Sequence, residues 1–253
     1  MHFSEEQRKA TIERFERDRL AWDQNPALRV LYAEWYGRIA AALPPQTDGP
    51  RVELGSGPGF AKRFIPDLEL TDLVQAPWHD RETDAEALPY GDGSLAAIVL
   101  FDVLHHLPSP RKFLAEAVRV LRSGGRLVMC EPYVSPISYP VYKFFHAEPL
   151  GLWVDPLADQ TGRDPRDPFD SNQAIPTLLF GRARGAFESA FPMLEVHRIE
   201  HFAGLSYPAS GGFSRRPILP MKLWSALNRL ERRLPGSLGR WGAFRMLVTI
   251  QRQ

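Results

Sequence analysis

Hydrophobic residues along the chain recur with two different periods, and their order predicts an α/β fold. Apolar positions repeat at helical spacing after a capping signal at Ser4 and again after Asn25-Pro26, which predicts two N-terminal helices that end before Pro44. Short apolar runs typical of strands follow, separated by helical stretches. Strands are predicted at residues 52–54, 68–72, 94–101, 126–130, 194–199 and 244–250, and later helices at 175–191 and 220–234.

The central part of the pattern predicts how these strands pair. Residues 94–101 form a continuous apolar run, as expected of a strand covered on both faces. Ser109-Pro110 caps a helix that ends at residues 123–125, and the next strand begins at Arg126. Strand, helix and strand in this order predict a parallel sheet with right-handed crossovers.

A glycine-rich turn follows the first predicted strand. Gly55, Ser56, Gly57 and Gly59 lie here, and residues 60–65 are compatible with a helix. Glycines allow a strand to reverse sharply and its backbone to approach a ligand. Amide groups at the start of a following helix face that ligand with a partial positive charge. The turn therefore predicts a nucleotide-binding site.

Five segments in order resemble a known family. They are the glycine turn, Asp72 after the second strand, residues 84–90, residues 101–107 and residues 120–127. Together they resemble the class I S-adenosylmethionine (SAM)-dependent methyltransferases of the small-molecule type, methyltransferase type 11. The resemblance implies SAM as cofactor and S-adenosylhomocysteine (SAH) as product. It also implies a Rossmann-like, seven-stranded α/β sheet, mostly parallel with the last strand antiparallel, with N-terminal helices and helical insertions.

The resemblance assigns cofactor contacts residue by residue. Asp72 is expected to accept hydrogen bonds from the ribose hydroxyls, Asp84 and the amide of Ala85 to contact adenine, and Glu53 to help place the methionine part. Each residue also has a structural reading: tight packing for the glycines, a solvated acid for Asp72 or Asp84, and loop fixation for Glu53. The predicted cofactor-binding residues are Glu53, Gly55, Ser56, Gly57, Gly59, Asp72, Leu73, Asp84, Ala85 and Phe101.

Two departures from the family pattern change the expected fold. Only eleven residues separate Asp72 from Asp84, and Pro77 lies among them, so little room remains for the usual second helix and third strand. We expect that helix to be missing or one turn long, with Trp78 flanking the adenine. Residues 94–97 also lack the acid that often precedes the fourth strand in this family.

Methyl transfer from a sulfonium is an in-line displacement, so the protein mainly aligns the acceptor with the methyl carbon. A hydroxyl acceptor also needs a base, which histidine supplies near neutral pH. Histidines can equally cap or pack, and a carboxylate at a strand end can cap a loop. The candidate catalytic residues are His105, His106 and His146 as bases, Tyr133 as a positioning group, and Glu131 as a group that binds an amine or hydroxyl. O-methylation is the favoured reaction.

We expect one methyltransferase domain over residues 1–253, with a SAM-binding core at 51–131. Residues 1–45 are predicted to be a helical lid, or simply helices packed on the domain. The insertions at 132–173 and 203–243 are rich in aromatic residues, which predicts a pocket for a small apolar or aromatic acceptor. The helix 220–234 places four leucines on one side and basic residues elsewhere, a pattern of either weak contact with anionic lipid or packing on the domain.

Composition excludes several classes of partner and site. The net charge of +1 argues against nucleic-acid binding, although basic residues dominate after Gly211. Cys130 is the only cysteine, so an intramolecular disulfide or a thiolate zinc site is excluded, and no group of acids indicates a catalytic metal. No apolar run is long enough to span a membrane and no signal peptide is recognisable, so we expect a cytoplasmic protein. The oligomeric state stays open.

Three other functions compete with small-molecule methyl transfer. A nicotinamide dehydrogenase requires a third glycine or alanine where Phe60 stands. A DNA adenine methyltransferase carries Asn/Asp-Pro-Pro-Tyr/Phe after the fourth strand, where this chain has residues 101–106 of different character. A regulatory or partner protein that binds SAM or SAH without catalysis remains the alternative.

Overall fold

The computed structural model describes residues 3–45, 49–159, 169–213, 216–233 and 236–253, with only the backbone described at 236–238. Seven strands form one sheet in the order β3-β2-β1-β4-β5-β7-β6. Strand β7 runs antiparallel to β5 and β6, and the other neighbouring pairs are parallel. The predicted sheet, including its antiparallel last strand, is confirmed. The strands are β1 Arg51–Leu54, β2 Glu69–Asp72, β3 Arg81–Glu82, β4 Leu95–Phe101, β5 Leu121–Pro132, β6 Leu194–Phe202 and β7 Arg245–Arg252.

Helices cover both faces of this sheet. Ser4 forms the predicted capping box with Gln7, and the Asn25 side chain caps the second helix by accepting from the amide of Leu28. The helices are α1 Glu5–Gln24, α2 Pro26–Ala42, α3 Pro110–Val120, α4 Ser138–Phe145, α5 Ile175–Leu179, α6 Arg184–Ala190, α7 Ser206–Ala209, α8 Met221–Glu231 and α9 Gly236–Gly242. The sequence did not predict α4, α7 or α9.

The predicted helix after the glycine turn is wrong. Only one 3₁₀ turn, Ala61–Arg63, follows it. Pro66 disfavours helical geometry at the residue before it, which leaves too few residues for an α-helix. The adjacent space is filled from the N-terminal helices, since Trp22 stacks on Phe60 with ring centroids 4.9 Å apart. As predicted, residues 73–80 contain no helix, and β3 is reduced to two residues.

Two further boundaries differ from the sequence prediction. The helix predicted over 175–191 is two helices, because the amide of Ala183 turns back to the carbonyl of Leu178 and closes the first one. Gly181 permits this turn, since a Cβ there would lie 2.5 Å from the carbonyl oxygen of Thr177. The helix α3 ends at Val120, and residues 123–125 belong to β5, where Gly124 adopts a φ of +76°.

The core consists of two apolar layers separated by the sheet. One layer contains residues of α3, α5 and α6, and the other contains residues of α2 and Trp224 of α8. Every residue of β4 is buried, as the continuous apolar run predicted. Parts of several predicted segments lie outside the described residues: 1–2 of the lid, the linker 46–48, 160–168 of the first insertion, and 214–215 and 234–235 of the second, including Leu234 of the predicted helix.

Candidate functional site

The glycine turn after β1 has the backbone geometry that requires glycine. Gly55, Gly57 and Gly59 have φ values of +66°, +47° and +72°, in the left-handed region that side chains disfavour. A Cβ at Gly55 would lie 2.5 Å from Val103, and one at Gly59 would lie 2.4 Å from Trp78. Two of the three glycines therefore also allow close packing by side chains of this chain.

Asp72 ends β2 and holds the glycine turn. Its carboxylate accepts from the amide of Gly57 at 2.8 Å and from the amide of Val74 at 3.1 Å. The neighbouring Thr71 donates through its amide to the Ser56 hydroxyl and through its own hydroxyl to the backbone carbonyl of Glu53. Burial raises the pKa of Asp72, although these amides oppose the effect. A carboxylate has about four acceptor positions, so this one keeps capacity for further donors.

The chain between β2 and β3 closes over the turn. The carbonyl of Gly57 accepts from Trp78 Nε1 at 2.8 Å and lies 2.7 Å from His79 Nε2. Because His79 Nδ1 accepts from the amide of Ala76, the proton of this neutral ring lies on Nε2. From α1, the Phe15 ring approaches Gly57 and packs edge-on against His79. The predicted lid helix thus lies directly on the turn.

Glu53 is a fully buried carboxylate beside the turn. Its Oε1 accepts from the Tyr36 hydroxyl at 3.0 Å, and its Oε2 has no hydrogen-bond partner among the described residues. Burial raises the pKa of Glu53 to about 7. A buried carboxylate oxygen without a partner is costly, so this oxygen is an acceptor that the described residues leave unused.

The remaining predicted cofactor residues surround the same edge. Phe101 stacks with Tyr32 and Tyr36, at centroid distances of 5.1 and 5.0 Å. Asp84 accepts from the amide of Glu86 in a short turn. Leu73 is half-buried directly after Asp72, and Ala85 packs partly buried against the core. Their contacts with a cofactor stay predictions.

A network of charged side chains lies at the ends of β4 and β5. Glu131 is fully buried and accepts from the amides of Val103 and Leu104 and, at 2.7 Å, from His105 Nδ1. The other nitrogen of that ring, Nε2, lies 3.4 Å from Glu148 Oε2. The structure thus places two predicted catalytic residues, Glu131 and His105, in direct contact.

The two neighbouring histidines have opposite charge states. Burial alone lowers the pKa of His105, but Glu131 and Glu148 outweigh it and raise that pKa to about 10. Burial and the charge on His105 lower the pKa of His106 to about 4, and the two rings lie 4.2 Å apart. At neutral pH His105 is therefore a cation, and His106 is the neutral imidazole able to accept a proton.

His146 joins this network through Gln173, whereas Tyr133 is held elsewhere. Gln173 Nε2 donates to Glu148 at 2.7 Å and lies 3.3 Å from His146 Nδ1. The Tyr133 hydroxyl donates to the carbonyl of Arg240, and its ring packs on His201. The roles predicted for these residues stay predictions.

An ion pair between Asp102 and Arg245 completes the site, and the sequence did not indicate it. Their charged atoms lie 2.6 Å apart, and Asp102 adopts a φ of +58°, which is uncommon for a residue with a side chain. Arg245 is buried among the rings of Trp35, Phe101 and Tyr207. Burial lowers the pKa of Arg245, but Asp102 outweighs this and raises it well above the usual range.

Two groups of side chains at this edge have the composition of metal sites. Donor atoms of His105, His106 and Glu148 lie within 4.8 Å of one another, and so do those of Asp102, His105 and Glu131. In both groups His105 is already held between carboxylates by its two ring nitrogens. The expectation that the protein uses no catalytic metal stays a prediction.

Sequence reasoning missed Asp102, Glu148, Gln173 and Arg245 because their roles depend on contacts between distant segments. Asp102 stood within a recognised motif, and the strain at its backbone is the signal that only the structure reveals. Glu148 follows an aromatic stretch without periodicity, and Arg245 opens a strand like any basic residue.

Comparison with known proteins agrees with this geometry. Residues 53–129, which include the glycine turn, Asp72 and β4, match the family model described as a methyltransferase domain. This segment of the chain is similar to a methyltransferase domain, and the match covers less than a third of the chain. The matched range ends near Glu131, so the acceptor-side segments after β5 lie beyond it.

Relatives of this methyltransferase domain match over limited segments. The demethylmenaquinone methyltransferase of Renibacterium salmoninarum is 32% identical over 82 residues, covering 32% of this chain and 34% of that protein. The 27-O-demethylrifamycin SV methyltransferase of Amycolatopsis mediterranei is 28% identical over 130 residues, covering 43% of this chain and 48% of that protein. The chain thus matches less than half the length of either relative.

A solved structure shows that the whole methyltransferase fold is shared. A chain of the complex between the Haloferax volcanii Trm112 methyltransferase activator and a methyltransferase aligns with a TM-score of 0.53 and 17% identity, covering 99% of both chains. At this identity the likeness describes the fold alone. Within the described residues, no helix has the length and apolar character needed to cross a bilayer.

Proposed function

We propose that this protein transfers a methyl group from SAM to a small apolar or aromatic acceptor, with oxygen as the favoured methylated atom. The observation that carries the proposal is the buried charged network of Asp102, Arg245, His105, Glu131 and Glu148 at the same sheet edge as the glycine turn. Ligands of open α/β sheets bind at this carboxyl edge of the strands.

The residues present fit an adenosyl sulfonium. Asp72 keeps acceptor capacity at the end of β2, where two ribose hydroxyls need a carboxylate. The unpartnered Oε2 of Glu53 is a buried acceptor for the ammonium group of the methionine part. When bound, SAM supplies a methyl group that is already activated for displacement. These residues bind and orient it, and the cover formed by Phe15 and Trp78 limits access of water to the turn.

The charge of the network also suits a cationic donor. Arg245 and His105 are positive, while Asp102, Glu131 and Glu148 are negative, which leaves one excess negative charge. Buried opposite charges interact more strongly than exposed ones because less solvent screens them. This excess favours the sulfonium cation over its neutral product and thereby assists product release.

The acceptor side supports an apolar or aromatic substrate. Rings of Tyr32, Trp35, Phe101 and Tyr207 surround the Asp102–Arg245 pair. A pocket of aromatic walls with few polar groups is typical of small-molecule sites. The names of the two relatives, a demethylmenaquinone and a demethylrifamycin methyltransferase, agree with a ring-containing acceptor.

For O-methylation we assign the proton transfer to His106. His105 is already protonated and donates to Glu131, so it holds the carboxylates in place. His106 is neutral at pH 7 and can accept the hydroxyl proton as the methyl group is transferred. Glu148 and Gln173 then stabilise the positive charge and the position of this histidine pair.

The alternative of a non-catalytic protein is supported by the short elements around the proposed SAM site. The helix after the glycine turn is a single 3₁₀ turn, and the chain after Asp72 lacks a helix. A protein that only binds SAM or SAH as a signal tolerates such losses if the amides and Asp72 remain. This alternative predicts ligand binding without turnover.

Binding and turnover separate these candidates. Titration calorimetry should show that the protein binds both SAM and SAH. Incubation with trideuteromethyl SAM and a panel of phenols and hydroxynaphthoquinones should then yield a product heavier by one labelled methyl group. His106→Gln should lower turnover and retain SAM binding, while the exposed control His197→Gln should change neither. Absence of binding to either ligand contradicts both candidates, and binding without any labelled product supports the sensor.

A further inference from the structure

The helix α8 presents Trp224, Asn228 and Glu231 to the domain, so of the two alternatives that the leucine pattern left open, packing of the leucines on the domain is not observed within the described residues. Trp224 is buried and donates through Nε1 to the carbonyl of Ser206 at 2.8 Å. Asn228 accepts from the Ser206 hydroxyl, and Glu231 accepts from the Ser206 amide. The inward side of α8 is thus fixed by one indole ring and a group of hydrogen bonds.

The outward side of α8 consequently exposes apolar side chains. Leu223 and Leu230 are each 60% exposed, and Ile218, just before the helix, is 69% exposed. Leu223 and Leu230 are seven residues apart, which places them on the same face two turns apart. Several large apolar side chains on one exposed face indicate a surface that meets an apolar phase.

The charge on this face has one sign. Lys222, Arg229, Arg232 and Arg233 are all exposed, and Glu231, the only acid of α8, is turned inward. Arg232 also forms an ion pair with Glu34 of α2 at 3.7 Å, so the cations of this face without that partner are Lys222, Arg229 and Arg233. Since the whole chain carries a net charge of only +1, this concentration of positive charge is local to α8.

We propose that the outward face of α8 binds the surface of an anionic phospholipid bilayer. Helices that lie in a membrane interface combine exposed leucines with lysine and arginine beside them, so that apolar groups enter the acyl boundary and cations meet the headgroups. Trp241 on α9, eight residues after Arg233, is 65% exposed and is a further side chain of the type enriched at such interfaces.

The exposed leucines distinguish a bilayer from a purely acidic partner. Nucleic acid neutralises cations but offers no apolar phase to Leu223 and Leu230. A second copy of the chain would cover the leucines but place the same four cations against each other, which like-charge repulsion opposes. The bilayer satisfies both features together. The proposal does not depend on the proposed methyl transfer.

Flotation of the full chain with vesicles tests it. Vesicles of phosphatidylcholine mixed with phosphatidylserine should carry the protein upward at low salt, and vesicles of phosphatidylcholine alone should carry little. Raising the salt concentration should release most of the bound protein because the cations act through screened charge. Failure to float with the mixed vesicles at low salt would overturn the proposal.

Matched variants assign the binding to α8. Lys222→Gln/Arg229→Gln/Arg233→Gln should reduce the bound fraction at least tenfold, and Leu223→Gln/Leu230→Gln should reduce it about fivefold, with thermal unfolding unchanged. The control Lys9→Gln/Arg17→Gln/Arg111→Gln removes three exposed cations elsewhere and should float like the wild type. Equal loss in the control, or no loss in either α8 variant, contradicts the assignment. A dimer in sedimentation that only Leu223→Gln/Leu230→Gln abolishes would instead identify a second copy as the occupant.

Discussion

The two halves of the sheet edge are constructed differently. On the β1–β2 side, backbone amides of the glycine turn meet one carboxylate, Asp72, and the surrounding helices are reduced to short turns. On the β4–β5–β7 side, charged side chains from four segments form a largely buried network, with the Asp102–Arg245 pair at one end and Glu148 at the other. We call the β1–β2 side, where we propose that SAM binds, the donor half, and the β4–β5–β7 side, where we propose that the acceptor binds, the acceptor half. The donor half depends on backbone conformation, and the acceptor half depends on side-chain charge.

This difference predicts which changes affect binding and which affect turnover. Losing the Asp72 carboxylate should weaken the donor site without disturbing the charged network. Altering the network should impair transfer and stability, and should weaken donor binding much less than the loss of Asp72 does. The following changes test this separation, from the largest expected effect to the smallest.

Asp72→Asn should cause the largest loss, in SAM affinity. The substitution keeps the shape of the side chain but removes the charge that faces the amide of Gly57 and, in the proposed binding mode, two ribose hydroxyls. Each hydrogen bond to a charged group contributes about 1.5–3 kcal/mol, so calorimetry should show binding weakened by roughly 10²–10⁴-fold. Asp92→Asn, at an exposed carboxylate, is the control and should bind normally. Wild-type affinity in Asp72→Asn would place the ribose elsewhere.

Glu131→Gln should cause the largest loss of stability. The variant leaves His105 without its buried counter-charge and weakens the acceptor for the amides of Val103 and Leu104. Breaking a buried pair in this way lowers the free energy of unfolding by about 3–5 kcal/mol, measurable by urea denaturation. The exposed pair Arg184–Glu188 supplies the control, since Glu188→Gln should lower the free energy of unfolding by about 1 kcal/mol at most. Similar losses in both variants would show that the buried contacts of Glu131 contribute no more to stability than an exposed ion pair does.

Asp102→Asn should destabilise the protein more than Arg245→Met. Asp102 keeps partial access to water, whereas the Arg245 guanidinium is buried and loses its only carboxylate partner among the described residues. We expect unfolding free energies lower by about 3 kcal/mol for Asp102→Asn and about 2 kcal/mol for Arg245→Met. The double variant should recover part of the loss, as a double-mutant cycle would measure. SAM binding should weaken far less in all three variants than in Asp72→Asn, and an equal loss would mean that the two halves are not separable.

We expect SAM binding to release a proton from Glu53 near pH 7. Burial raises the pKa of Glu53 to about 7, so roughly half of the free protein holds a proton there. A cation beside Glu53 stabilises the carboxylate and lowers its pKa, so binding should release about half a proton at pH 7 and tighten as pH rises from about 6 to 8. Calorimetry in buffers of different ionisation enthalpy measures this release. Glu53→Gln should abolish it, and release that persists in that variant would assign the proton to another group.

The smallest expected effect concerns the contact of α1 with the edge strand. Arg8 donates to both oxygens of Glu82 at 2.7 Å, but the pair is exposed. Arg8→Gln should therefore lower the free energy of unfolding by about 0–1 kcal/mol. Thermal unfolding checks this, with Lys9→Gln as the neighbouring control. A much larger loss would mean that the lid helix depends on this pair for its position.

Much of the donor half was predictable because its signals are local. The glycine spacing, the carboxylate after the second strand and the shortened connection to Asp84 lie within 32 residues of one another and are short-range patterns. The missing second helix followed from Pro77 and the residue count alone. The absent helix after the turn also has a local cause, Pro66, which the prediction overlooked, whereas the filling of the adjacent space by Trp22 depends on tertiary structure.

The acceptor half was predicted only in its individual residues. His105 and Glu131 were named as candidates, but their charge states depend on each other and on Glu148, 43 residues beyond His105 in the sequence. The leucines of α8 are a further case. Their helical spacing allowed either packing on the domain or contact with lipid, and the hydrogen bonds of Asn228 and Glu231 with Ser206 turn the opposite side of the helix inward.

The sequence by itself determined the order of the main strands and helices, the glycine turn and the resemblance to the methyltransferase family, since periodicity and turn chemistry act over a few residues. Tertiary structure decided which charges are buried, which histidine is protonated and which face of α8 meets solvent. These properties depend on desolvation and on partners brought together across the sheet from distant segments. Pairing of Arg245 with Asp102, 143 positions apart, is the plainest case, because the fold alone places them 2.6 Å from each other.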